Sequence, residues 1–147
     1  MSEYVKIETQ YTDEALLRQA VETVCKQHIM RPELHEAGDE RALVGYLNDA
    51  REETAQFIIR RNVLSPGGYS NDVGWTRQPD GTYRLIVSEY DRRNTHSMTV
   101  VGDVDVEYQR LVIEKKVLTN PRLRGARVVA QRSKSGAVNI QILNVRV

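Results

Sequence analysis

At 147 residues the chain is the size of one ordinary domain, long enough to bury a core without disulfides or metal staples. A hydrophobic fraction of 40% and a charged fraction of 28% exclude a disordered chain, and no apolar run approaches the roughly 18 residues of a membrane-spanning helix. The net charge of +1 conceals a split, because Met1 to Gln109 carries 12 Lys/Arg against 19 Asp/Glu and Arg110 to Val147 carries 9 against 1.

Such polarity would steer an acidic partner toward the C-terminal segment, unless the two ends of the chain share one sheet and neutralise each other. The opening Met1-Ser2-Glu3-Tyr4-Val5-Lys6 lacks the apolar run of a signal peptide. Cys25, the single cysteine, has no internal disulfide partner. Both features lead to the expectation of a reducing setting, the cytoplasm or an organelle interior.

Tyr4 to Tyr11 alternates Val5, Ile7 and Thr9 with Lys6, Glu8 and Gln10, the pattern of a half-buried strand. Thr12 stands where a helix N-cap is needed, and Asp13 and Glu14 suit the positive end of a helix. Leu16, Leu17, Ala20, Val21, Val24 and Cys25 then recur at helical spacing. From Lys26 to Arg41 the pattern is broken by Arg31-Pro32 and Gly38-Asp39, which suits a loop or a short strand. Ala42 to Tyr46 and Thr54 to Leu64 read as two strands joined by a charged turn, Asn48 to Glu53.

Ser65 to Asp72 is dense in glycine and turn-forming residues and reads as a loop. Val73 to Arg77 and Thr82 to Glu89 flank Pro79-Asp80-Gly81 and predict a hairpin with Trp75 and Tyr83 paired across it. Asp103 or Asp105 is placed to cap a second helix bearing Val104, Tyr108, Leu111, Val112 and Leu118, which must stop at Asn120-Pro121. Ala126 to Gln131 and Ala137 to Val147 alternate around Ser133-Lys134-Ser135-Gly136 as a terminal hairpin. With no linker between them, residues 1–147 read as a single α+β domain: a mainly antiparallel sheet with two helices packed on one face, which two βαββ-like halves would supply economically.

The candidate chemistry is sparse. The loop from Ser65 to Trp75 has glycines able to approach an anion, yet it lacks the lysine and hydroxyl of a P-loop, and a strand rather than a helix follows it. Cys25, His28 and His35 offer soft ligands without a fourth partner or paired spacing, so neither a metal nor a cofactor is expected. Asp72, Glu89, Asp91 and His96 with Ser70 or Ser97 are residue types capable of acid-base or nucleophilic work, but no catalytic motif selects them and no enzyme is expected. Arg60-Arg61, Arg92-Arg93 and the run Arg122, Arg124, Arg127, Arg132 and Lys134 could contact phosphates, with Tyr69, Trp75 or Tyr83 stacking on bases, although no RNA-binding signature accompanies them.

Ile7-Glu8-Thr9, the Thr12 to Cys25 helix, Val44-Gly45-Tyr46, Ala55 to Ile59, Asn71-Asp72-Val73-Gly74-Trp75 and Gly125-Ala126-Arg127-Val128-Val129 together resemble the hypothetical chloroplast reading frame thirty-five family. That family comprises small proteins of cyanobacteria, algal plastids and other bacteria, often encoded beside AAA-type ATPases. The resemblance spans most of the chain, with longer stretches here at Lys26 to Arg41 and Arg61 to Ser70, and its motifs are structural. It implies an accessory or adaptor protein, in the cytoplasm or a plastid, that binds a protein partner such as a AAA-type ATPase through a sheet edge or the long loops. Tyr69 and Trp75 are the expected anchors if exposed. The alternative expectation is a nucleic-acid binder using the basic C-terminal segment.

Overall fold

The computed structural model describes residues 2–144. Strand β1 spans Tyr4–Glu8 and helix α1 spans Glu14–Gln27. The N-cap of α1 is Asp13 rather than Thr12: the Asp13 side chain accepts the Leu16 N–H, while the N–H groups of Thr12 and Asp13 both donate to the Tyr108 hydroxyl. A contact made from far along the chain therefore decides where the helix starts. Leu17, Ala20, Val21, Val24 and Cys25 are buried along α1, and burial pushes the Cys25 thiol up to about 12.

The next segment holds a two-residue strand, β2 (Glu33–Leu34). Then come β3 (Arg41–Val44), β4 (Ala50–Ala55), β5 (Phe57–Ile59) and a short helix, α2 (Arg61–Leu64). The strand expected over Thr54 to Leu64 is thus two strands in different sheets followed by a helical turn, and Glu52 and Glu53 belong to β4 rather than to a turn. The break falls at buried Gln56, whose N–H donates to the Trp75 carbonyl and whose side chain bonds Glu14, the His35 carbonyl and the Tyr83 hydroxyl. Phe57, Ile58 and Ile59 are all buried because both faces of the sheet are covered there.

The hairpin of β6 (Val73–Arg77) and β7 (Tyr83–Ser88) forms as expected, but Trp75 lies opposite Leu85 and Tyr83 opposite Arg77. Helices α3 (Glu89–Arg92) and α4 (Thr95–Leu118) follow. Asn94 caps α4 by accepting the Ser97 N–H, so Asp103 and Asp105 lie inside the helix and cap nothing. The turns before them contain Thr, Ser, Val and Gly residues of modest helix propensity, and burial of Ser97, Val100 and Val101 overrides it. A 3-10 turn at Pro121–Leu123 follows α4, and β8 (Ala126–Arg132) and β9 (Val138–Asn144) form the terminal hairpin.

The main sheet has the order β1-β7-β6-β5-β2, antiparallel throughout. Helices α1 and α4 cover one face, merging Leu17, Val21, Val104 and Leu111 with Phe57, Trp75 and Val87 in one core. The β3–β4 hairpin covers the other face through Leu43 and Ala55 packed on Ile58 and Ile86. The α+β class with both long helices on one face holds, whereas two βαββ-like halves do not. The β8–β9 hairpin is a separate sheet, with its β8 packed on α4 and Val128 buried.

Two glycines separate close packing from loose contact. A Cβ on Gly74 would meet the Ala55 Cβ at 2.5 Å and Leu43 at 3.1 Å, both fixed in the second core, whereas the atoms nearest to one on Gly102 are the far end of the flexible Arg132 side chain. Gly74→Ala is expected to lower the unfolding free energy by about 1–3 kcal/mol. Gly102→Ala is expected to be neutral or stabilising by up to about 1 kcal/mol through helix propensity. Urea titration of both variants checks the contrast.

Candidate functional site

The loop after α2 returns to the sheet through Asn71 and Asp72, which are fully buried together with Ser88, Asp91 and Ser97. The Asp91 carboxylate accepts the Asn71 N–H at 2.8 Å and the Ser88 and Ser97 hydroxyls at 2.7 Å each. Ser88 also caps α3 by accepting the Asp91 N–H at 3.0 Å, and the Asn71 side-chain amide donates to Ser88 at 2.9 Å. No cation pairs with Asp91 among the described residues, so these donors replace its lost hydration.

Asp72 faces the opposite way. One oxygen accepts the Val44 N–H and an Arg60 Nη1 hydrogen, both at 2.7 Å, and the other accepts the Arg61 N–H at 2.6 Å. Arg60 reaches on to Glu33 at 2.9 Å, and this hydrogen-bonded charge holds the Glu33 carboxyl below its ordinary range and Arg60 above its own. The Tyr4 hydroxyl donates to the Asp72 carbonyl at 2.8 Å, with its phenol pushed up by burial and then by the Asp72 charge. Asn71-Asp72 therefore ties β1, β3, α2, α3 and α4 to the start of β6.

The expected acid-base and nucleophilic residues are mostly consumed by this frame rather than gathered in an open cleft. Asp72, Asp91 and Ser97 are buried and bonded within it, Ser70 is buried with its hydroxyl unpartnered among the described residues, Glu89 pairs with Arg92 and Arg93, and His96 bonds the Leu64 carbonyl at 3.0 Å. Cys25, His28 and His35 do not converge: His28 bonds Asp103, His35 bonds Glu33, and no group of metal-ligating side chains occurs among the described residues.

Above the frame lies an apolar tip. Tyr69 is 68% exposed and Leu47 61%, and the Tyr46 ring meets the Tyr69 ring edge-on at 6.4 Å. The Asn71 side-chain oxygen accepts the Tyr46 N–H at 2.9 Å, so the buried frame also holds the tip. Of the two expected anchors only Tyr69 faces solvent. Trp75 is 1% exposed, because its side of β6 faces α1 and α4, and it cannot contact a partner in the folded chain. Tyr83 is buried as well, stacked on Phe57 with its phenol pushed up to about 12 by burial, so it stacks on no base. Tyr46 and Leu47 were missed, although an adjacent apolar pair inside the polar turn Gly45 to Asp49 is a readable signal.

The basic residues divide in two. Arg60 and Arg61 belong to the frame, Arg61 through the Ser70 carbonyl at 3.1 Å and Asn48 at 3.2 Å, and Arg92 and Arg93 are taken by Glu89. Arg122, Arg124, Arg127, Arg132 and Lys134 are exposed and have no ion-pair partner among the described residues, with Arg132 lying over Gly102 of α4. The terminal hairpin is outside the main sheet, so the basic segment is not neutralised by a shared sheet. No helix among the described residues is long and apolar enough to cross a membrane. No protein-family model matches this sequence, and no curated protein or solved structure matches it.

The frame makes two measurable demands. Asp91→Ala leaves the Asn71 N–H and two hydroxyls without their acceptor and is expected to cost about 3 kcal/mol or more, read from urea unfolding. Glu33→Gln tests the ion pair. A depressed carboxyl stabilises the fold above its unfolded pKa and loses that contribution as pH falls through the folded value. The native chain is therefore expected to be more stable than the variant at neutral pH and to lose this advantage below about pH 4, with urea midpoints at both pH values as the check.

Proposed function

We propose that this chain is a non-catalytic accessory protein that acts by binding another protein. The observation that carries the reading is the division between Asn71, Asp72, Ser88, Asp91 and Ser97, which are buried and hydrogen-bonded to one another or to the backbone, and Tyr46, Leu47 and Tyr69, which that same frame presents at the surface. A tyrosine on a rigid base loses little freedom on binding and offers both an apolar ring and a hydroxyl. The resemblance to the hypothetical chloroplast reading frame thirty-five family points to a AAA-type ATPase as the partner class.

A second reading is favoured by a separate observation, the exposed and unpaired Arg122, Arg124, Arg127, Arg132 and Lys134, which would suit phosphate contacts on nucleic acid. Purification of the tagged protein from its native cell, with and without nuclease, separates the two. A stoichiometric, nuclease-resistant protein partner that is lost with Tyr69→Ala/Leu47→Ser supports the adaptor reading. Recovery that nuclease abolishes and the double variant leaves intact supports the second. Both substituted side chains are exposed, so the variant is expected to keep native stability to within about 0.5 kcal/mol.

A further inference from the structure

Strand β9 reads Val-Asn-Ile-Gln-Ile-Leu-Asn, without a charge or a proline. The other strands with a free edge are guarded: Lys6 and Glu8 on β1, Arg41 on β3, Glu52 and Glu53 on β4, Arg127 and Arg132 on β8, and β2 has two residues, one of them Glu33. Charges on an edge are how folded chains avoid pairing with other strands, so an unguarded strand of seven residues is an exception.

The register sets its two faces. Ile140 and Ile142 lie opposite Ala130 and buried Val128 on the side of α4, and Asn139 and Gln141 lie opposite Gln131 and Val129 on the outer side. Ile142 is nonetheless 45% exposed, so the apolar face of the hairpin extends past its support. Beside it runs a cleft lined by Tyr11, Tyr108, Val112, Ile113 and Ile140, which adjoins a second cleft through Tyr108 and Val112. Lys115 and Lys116 line that second cleft. Lys115 pairs with Asp13 at 3.0 Å, and Lys116 has no ion-pair partner among the described residues.

We propose that β9 is the docking edge for an extended segment of a partner protein in which aliphatic residues alternate with Asp or Glu. Its main chain continues the hairpin beyond β9, its aliphatic side chains enter the cleft over Tyr108 and Val112, and its carboxylates lie in the positive field of Lys116, Arg127, Arg132 and Lys134, which are exposed and have no ion-pair partner among the described residues. Charge selects this occupant over a second copy, because β9-to-β9 pairing would bring two basic hairpins together. The apolar cleft and a β9 main chain with no second strand partner among the described residues select it over nucleic acid, which offers neither aliphatic side chains nor a strand.

The test uses the full chain and a short capped peptide alternating Val and Glu, followed by amide hydrogen exchange and titration. The peptide is expected to bind and to slow exchange in β9, while a Val/Lys peptide does neither. Gln141 is exposed on the outer face, so its substitutions report charge rather than folding. Gln141→Lys should tighten binding and Gln141→Glu weaken it, the two differing by about tenfold. Equal binding of the Val/Lys peptide, loss of binding in both variants, protection of β9 by concentration-dependent dimerisation, or displacement of the peptide by a single-stranded oligonucleotide would each overturn the proposal. The inference rests on the protein-binding reading but fails separately. A partner that depends on Tyr69, with a Val/Glu peptide that leaves β9 unprotected, keeps that reading and removes this edge; a peptide that protects β9, with no partner that depends on Tyr69, keeps the edge and removes the Tyr46–Tyr69 tip as the contact surface.

Discussion

A carboxylate buried without a cation must be surrounded by donors or it is not tolerated, and Asp91 meets this demand by drawing in three separate pieces of chain. Ser88 ends a strand, Ser97 lies in the first turn of α4, and Asn71 closes the loop that enters β6. Satisfying one side chain thus fixes the path of the chain out of the sheet and the start of its longest helix. The neighbouring Asp72 repeats the device with Arg60 and main-chain donors, and between them the two carboxylates leave Asn71-Asp72 almost no freedom.

This economy has a functional side. Polar groups spent on internal hydrogen bonds are withdrawn from chemistry with a substrate, while whatever sits on so well-determined a base is presented in one orientation. The Tyr46–Tyr69 contact is attached to the frame through Asn71. The terminal hairpin is built on another plan: it leans on α4 through the side of β8 that carries Val128, with Arg132 lying over Gly102 on that side and Arg127 on the outer one, both exposed. The chain therefore offers two surfaces of unlike character, one aromatic and rigidly mounted, the other basic and bounded by an open strand.

Periodicity in the sequence reveals α1 and the terminal hairpin because their side chains divide between a packed face and solvent, whereas the β6–β7 hairpin, buried on both faces over most of its length, is revealed by its Pro79-Asp80-Gly81 turn. Periodicity misleads where that division fails. Phe57, Ile58 and Ile59 are covered on both faces, so the run from Thr54 looked like one long strand although Gln56 divides it between two sheets. The start of α4 was hidden for a different reason, since its first turns are poor helix formers held by packing and by the Asn94 cap. Thr12 and Asp13 were equally good caps locally, and a tyrosine from α4 decided between them. Of the candidate site, the loop holding Tyr69 was legible from its turn residues, whereas the burial of Trp75 depends on which side of β6 meets the helices, a tertiary fact. The open basic segment could be counted in the sequence, but its freedom from carboxylates could not.

Among the described residues strand β1 pairs only with β7, with Tyr4 opposite Ser88. During synthesis at about 5–20 residues per second, β1 emerges several seconds ahead of its neighbour. Over that interval Val5 and Ile7 have no sheet to join, and α1 has no floor under Leu17 and Val21. The order of manufacture is thus the reverse of the order of assembly at this edge. The β6–β7 hairpin must form before β1 can be closed against it, so β1 and α1 stay open to proteases and chaperones until β7 has been made.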